Sequence, residues 1–223
     1  MNVYEQRYRV LKAEDSPAWT GDGYERAWGQ LNKICDTLEA GHWLPPAGAT
    51  FLELGCGNGA MSSQLMAYRG YQVSGVDISA TAIQWATERF TSRGLKGVFT
   101  VGDVCHLSPF PSDSFDIIFD GSCLHCIQGA DRLDCLGEMK RLLNADGVVV
   151  ISSMCGIPKQ AKDSANFNPH DYLLMQEGLP WRTIKPLALL KQEIINAGFA
   201  IVFTDVQQNP WWDHATLVCR KSR

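Results

Sequence analysis

The sequence has no apolar run approaching the roughly 18 residues that a membrane-spanning helix needs, so nothing in it reads as a membrane span. Met1 to Val10 mixes charges and tyrosines and lacks the apolar centre of a secretory signal. There is no internal repeat and no low-complexity tract. An excess of positive charge is missing too: 20 Lys and Arg against 24 Asp and Glu leave a net charge of −4. Phosphate binding relies on a basic face, so nucleic acid is not the expected partner. The eight cysteines are scattered and lack the framed spacing of a disulfide scaffold. They read as reduced thiols in a cytoplasmic protein.

What is there is a chain of 223 residues, 45% hydrophobic and 20% charged. That is long for one α/β domain and short for two, and ample to bury a core without disulfides or metal. Short apolar runs alternate with longer amphipathic ones. The alternation predicts βαβ units and a parallel sheet covered on both faces. Strands are expected at 50–54, 71–77, 97–104, 115–119 and 147–152, with helices at 58–68, 79–93 and 131–143. Ser79 is placed to cap its helix by accepting from first-turn amides. A helix at 186–197 and strands at 200–205 and 215–220 finish the chain.

One domain is expected, in four parts. Residues 1–48 form an N-terminal helical cap ending at the stiff Leu44-Pro45-Pro46, and 49–153 form the ligand-binding core. Residues 154–184 carry Pro158, Pro169 and Pro180 and little periodicity, so they read as a long lid or substrate insertion. Residues 185–223 supply the closing helix and strands.

Gly55, Gly57 and Gly59 stand between a strand and a helix. Glycines there permit a tight turn and close approach of a ligand to the backbone. Such a loop serves several adenosine ligands. Acidic positions discriminate among them. Asp77 ends the second strand about twenty residues on, where a carboxylate accepts ribose hydroxyls. Asp103, read as ending the third strand, is placed to accept from an adenine amine. Glu53 lies inside the glycine-loop strand, where dinucleotide folds want an apolar residue. Its burial requires partners, expected among loop amides or a cationic ligand. A ring of Glu53, Asp77, Asp103 and Asp120 suits a cation and repels a diphosphate. Asp116 reads as facing solvent or pairing locally.

Phe51 to Gly59 resembles the first motif of the class I S-adenosylmethionine-dependent methyltransferases. Gly75 to Ser79 resembles the family's ribose motif, Gly102 to Val104 its adenine-edge motif, and Phe115 to Asp120 its fourth-strand motif. All four fall in order across residues 48–153. The resemblance implies an α/β, Rossmann-like three-layer sandwich whose seven-stranded, mostly parallel sheet has an antiparallel last strand. It implies S-adenosylmethionine as cofactor and S-adenosylhomocysteine as product. The contacts it implies are Glu53, Gly55, Cys56, Gly57, Asn58, Asp77, Ile78, Asp103, Val104, Asp120 and Gly121. Trp19, from the N-terminal cap, is a candidate to pack on the sulfonium side by cation–π attraction.

Methyl transfer is an in-line displacement at an activated carbon, so the protein mainly positions the nucleophile. A base helps only where the acceptor holds its proton tightly. His125, just past the fourth strand, is the catalytic candidate; His170 and Asp171 in the insertion are weaker ones. Trp181, Trp211 and Trp212 are candidates to line a substrate mouth. Cys123 and Cys126, near Cys135 and Cys155, lack the second pair that zinc usually requires, so no metal is expected. The expected activity is methyl transfer to oxygen, nitrogen or sulfur of a small molecule. Alternatives are a protein or RNA methyltransferase, an NAD-dependent oxidoreductase, and a binding protein that kept the site. Glu53, Asp103 and the lack of a Tyr-x-x-x-Lys argue against the oxidoreductase.

Overall fold

The computed structural model describes residues 2–222. Two helices come first, α1 (Val3–Ala13) and α2 (Tyr24–Ala40). Then follow β1 (Thr50–Leu54), α3 (Ser62–Tyr68), β2 (Gln72–Asp77), α4 (Ala80–Ser92), β3 (Gly97–Val101) and β4 (Phe115–Asp120). The chain continues through α5 (Asp131–Leu142), β5 (Leu143–Cys155), α6 (Ala161–Ala165), β6 (Phe167–Asn168), β7 (Leu173–Gln176) and β8 (Leu179–Thr183). It ends with α7 (Leu187–Asn196), β9 (Phe199–Gln207) and β10 (Asp213–Lys221). Among the described residues no helix is long and apolar enough to cross a membrane.

Seven strands form one sheet in the order β3-β2-β1-β4-β5-β10-β9. β10 runs antiparallel to both its neighbours, and β1 to β5 pair in parallel. The middle strands are apolar on both faces because helices cover both: Leu52, Leu54, Ile118 and Ile151 point into one core, Phe51, Ile117, Val148 and Val150 into the other. The strand order reverses between β1 and β4, so the carboxyl ends of these two strands open a crevice.

Local chemistry explains where elements start and stop. Ser79 caps α4 as expected, its hydroxyl accepting from the Ala82 amide at 3.1 Å. α3 begins four residues later than the sequence suggests, because Cys56 to Gly59 is spent on a turn in which the Gly59 amide donates to the Cys56 carbonyl. β3 stops at Val101, so Asp103 lies beyond the strand rather than ending it. Asp103 instead closes its own turn, accepting from the Cys105 amide at 2.9 Å. Asp116 pairs locally: it accepts from Thr50 and from Asn144 across neighbouring strands.

Residues 154–184, whose sequence shows little periodicity, hold more regular structure than that pattern suggests. They hold α6 and a small antiparallel sheet ordered β6-β7-β8. The strands are short and one bears a register shift at Met175 opposite Pro180, which is why no alternation shows in the sequence. Thr183, ending β8, donates to the Ile127 carbonyl at 2.8 Å, which ties this small sheet to the turn after β4.

Candidate functional site

A cavity of about 950 Å³ opens above the carboxyl ends of β1, β2 and β4 and runs on over β5, β10 and β9. One end is built by the glycine loop. Asp77 is 6% exposed. Its two oxygens accept from the Gly57 amide and the Ser79 amide, each at 2.9 Å. A carboxylate has capacity for further donors, so both oxygens keep room to accept another hydrogen bond. Burial pushes the Asp77 carboxyl upward, opposed by those two amides.

Glu53 is 3% exposed and lines the same end. Of the partners expected, loop amides or a cationic ligand, the protein itself supplies not a loop amide but the first turn of α3. Oε2 accepts from the Ser63 amide at 2.7 Å and from the Ser63 hydroxyl. Burial pushes Glu53 to about 7. A methyl group on Gly121 would overlap Glu53 Oε1, so that glycine leaves room for the carboxylate. A group on Gly57, whose φ is +54, would overlap the Tyr8 hydroxyl. The Tyr8 ring of α1 therefore lies directly on the glycine loop.

The other sequence candidates divide. Gly55, Cys56, Asn58, Ile78, Asp103, Val104, Gly121 and Trp19 all line the cavity. The side-chain amide of Asn58 donates to the Pro17 carbonyl at 3.1 Å, so this residue also fastens the segment before α2. Asp120 does not reach the cavity. It is fully buried beneath it, and Oδ1 accepts from the Cys123 and Leu124 amides at 2.7 and 2.8 Å. Its work is to shape the turn after β4, and burial lifts its carboxyl to about 7. His170 and Asp171 stand exposed outside the cavity. Trp211 and Trp212 line it; Trp181 does not, and packs instead against the guanidinium of Arg182.

The far end collects residues from distant elements. His125 sits in a 3-10 turn, Leu124–Cys126, and is buried. Its Nδ1 accepts from the Met154 amide at 3.4 Å. In a neutral imidazole Nε2 then carries the hydrogen. Burial drives His125 well below its ordinary value, with Arg182, His214 and Arg132 adding in the same direction. His214 of β10 stands edge-on to it with ring centroids 6.3 Å apart, and Nε2 pairs with the Ser152 hydroxyl at 2.8 Å. Burial pushes His214 down to about 4. Tyr4 and Arg182 complete this end; the Tyr4 hydroxyl lies 3.4 Å from Arg182 Nη1.

Tyr4, Tyr8, Ser152, Arg182 and His214 were not found from the sequence. Tyr4 and Tyr8 are spaced i, i+4 on α1, a signal for one helical face that was available but does not say what the face covers. Ser152 and Met154 on β5, with Thr216 and His214 on β10, alternate at the strand period and share one face. That juxtaposition requires the strand order, which no single segment shows.

Comparison with known proteins agrees with this geometry. The family model described as a methyltransferase domain matches residues 52–151. Squalene methyltransferase 2 of Botryococcus braunii is 32% identical over 146 residues, 56% of this chain and 37% of its own length. Phosphoethanolamine N-methyltransferase 1 of Arabidopsis thaliana is 28% identical over 189 residues, 82% of this chain and 36% of its own. The chain thus spans about a third of the length of these curated relatives. In fold, it resembles a SAM-dependent methyltransferase from Methanosarcina mazei, with TM-score 0.71 and 21% identity over 81% of this chain and 96% of that one. The ordered motifs, the sheet with its antiparallel last strand and the matched span converge: residues 52–151 are a methyltransferase domain of the class I S-adenosylmethionine-dependent kind.

Proposed function

We propose that this chain transfers a methyl group from S-adenosylmethionine to an oxygen, nitrogen or sulfur atom of a small molecule. The observation that carries this reading is the pair of buried carboxylates, Glu53 and Asp77, lining the glycine-loop end of the cavity. Their acceptor oxygens fit a ligand with hydroxyls and positive charge and repel a diphosphate. When bound there, the cofactor supplies a methyl carbon activated by the adjacent sulfonium. Gly57 and Asp77 hold the loop against it, Ile78 and Val104 offer apolar surface for a base, and Tyr8 and Trp19 cover it. The rings of Tyr8 and Trp19 are 5.3 Å apart, which supports the cap role of residues 1–48.

His125 faces the cavity with its Nδ1 already accepting. On this reading it positions the acceptor by donating from Nε2, in place of removing its proton. Residues 154–184 contribute Arg182 to the far end, which supports their role as the substrate insertion. All eight cysteines are free, which supports a reducing, cytoplasmic compartment.

A thermal-melt comparison tests the central claim. S-adenosylmethionine and S-adenosylhomocysteine are expected to raise the melting midpoint, and NAD is not. A rise with NAD alone overturns the reading. Replacing His125 with Asn is expected to lower kcat by about tenfold or more while S-adenosylhomocysteine affinity holds. Unchanged kcat removes His125 from the reaction.

A further inference from the structure

The protein buries two arginines in contact with the turn after β4, and they are treated differently. Arg132 is 2% exposed and fully partnered. Its Nε and Nη2 grip Glu193 through two bonds of 2.8 and 2.7 Å, and Nη1 donates to the Leu124 carbonyl. Arg182 is 4% exposed and has no such counter-ion. Nη1 donates to the Trp181 carbonyl at 2.7 Å and meets the Tyr4 hydroxyl. Its Nε is buried and without a partner among the described residues. No carboxylate there lies within ion-pair distance of it.

Burying a cation without a counter-ion is costly, and proteins rarely leave one so. The groups around Arg182 supply no negative charge. Burial pushes the Tyr4 hydroxyl and the Cys126 thiol upward, so both stay protonated, and His125 stays neutral. The edge without a partner among the described residues, Nε with Nη2, is the one that in Arg132 grips a carboxylate. A planar fork of this kind matches the two oxygens of an oxyanion. Arg182, Tyr4, Cys126 and His125 line the same cavity as the glycine loop.

We propose that Arg182 is the seat for an oxyanionic group, carboxylate or phosphate, on the methyl acceptor. The inference rests on the methyl-transfer reading and narrows its substrate class. An acceptor anchored by its anion at Arg182 is fixed at one end, which leaves its nucleophilic atom to be aimed along the cavity. The Trp181 ring, 3.7 Å from the guanidinium carbon, holds the plane of the fork.

The test uses the full chain saturated with S-adenosylhomocysteine. Sodium acetate and sodium phosphate are titrated separately, with sodium chloride at matched ionic strength and neutral acetamide as controls. The midpoint of thermal unfolding is followed for the wild type and for Arg182→Gln. At least one of the two anions is expected to raise the wild-type midpoint above both controls. Whichever anion acts more strongly assigns the group as carboxylate or phosphate. Arg182→Gln is expected to weaken that response by about tenfold or more. A wild type that answers S-adenosylhomocysteine but neither anion overturns the Arg182 seat alone. A wild type that does not answer S-adenosylhomocysteine overturns the methyl-transfer reading. An equal anion response in Arg182→Gln also overturns the seat. Where Arg182→Gln fails to fold, Arg182→Lys decides: it keeps the charge, loses the fork, and is expected to lose most of the anion response. A response in Arg182→Lys equal to wild type overturns the proposal.

Discussion

At the glycine-loop end of the cavity, the key groups come from the ends of β1 and β2 and the turn after β3: Glu53, the loop itself, Asp77 and Asp103 follow one another within fifty residues or so of chain. At the far end, they come from residues 4, 125, 152, 182 and 214, brought together by α1, the turn after β4, β5, β8 and β10. The first end is local motif; the second is topology. The first is also acidic and satisfied, with Asp77 and Glu53 bonded to backbone amides. The second holds an arginine and two neutral histidines, and its cation lacks a counter-ion. A cavity with opposite charge at its two ends orients a ligand pair before any contact specific to either is made.

This contrast is open to breaking, and the largest effect is expected at Asp77. Replacing it with Ala removes the acceptor of the Gly57 and Ser79 amides and, on the proposed reading, of the cofactor's ribose. S-adenosylhomocysteine affinity should fall by about a hundredfold, since hydrogen bonds to a charged group contribute roughly 1.5–3 kcal/mol each. Calorimetric titration measures it, and an unchanged affinity would mean that the acidic end is structural.

Next comes the pair of arginines. Arg132→Met strands Glu193, whose charge is then shared only with Lys185 at 2.8 Å. It should cost about 3–5 kcal/mol of stability in denaturant unfolding. Arg182→Met should cost far less or stabilise, because it removes a cation that has no ion pair to lose. Equal costs would erase the distinction between a paired arginine and a waiting one.

A smaller effect is expected at Tyr8. Tyr8→Ala uncovers the glycine loop and should weaken S-adenosylhomocysteine binding by roughly tenfold, an effect of the size of one buried aromatic contact. An affinity within twofold of wild type would detach α1 from the loop's ligand.

The smallest is a pH effect whose sign differs between the ends. Burial holds His214 at about 4 against an ordinary 6.5. Its contribution is full above 6.5 and is lost as pH falls from there through 4. Glu53 runs the other way. Its carboxyl is raised from 4.5 to about 7, so its contribution is full below 4.5 and is lost as pH rises through 7. Midpoints measured across pH should show a flatter acid limb in His214→Asn and a flatter neutral limb in Glu53→Gln. Limbs unchanged from wild type would show that neither group titrates with folding.

Legibility followed the same divide. The parallel sheet, its antiparallel closing strand and the gathering of the glycine loop and its acids at one end of a cavity were readable because each is written in a short segment: an apolar run, a glycine turn, an acid near a strand end. Asp120 was misplaced because an acid at a strand end looks the same whether it faces the ligand or caps the turn beneath; only its bonds to the Cys123 and Leu124 amides distinguish the two. The insertion hid its small sheet because strands of two to five residues with a register shift leave no period. Arg182 was invisible for a different reason: what marks it is a missing partner, and sequence records no partners.

Tyr4 and Tyr8 stand one turn apart on the same side of α1, one against Arg182 and the other on the glycine loop. Lifting α1 withdraws both at once. The two ends of the cavity therefore share a single door, and whatever sits at one end meets the same latch as whatever sits at the other. Under the proposed methyl transfer, release of the spent donor and of the methylated molecule would both call on the same eleven-residue helix.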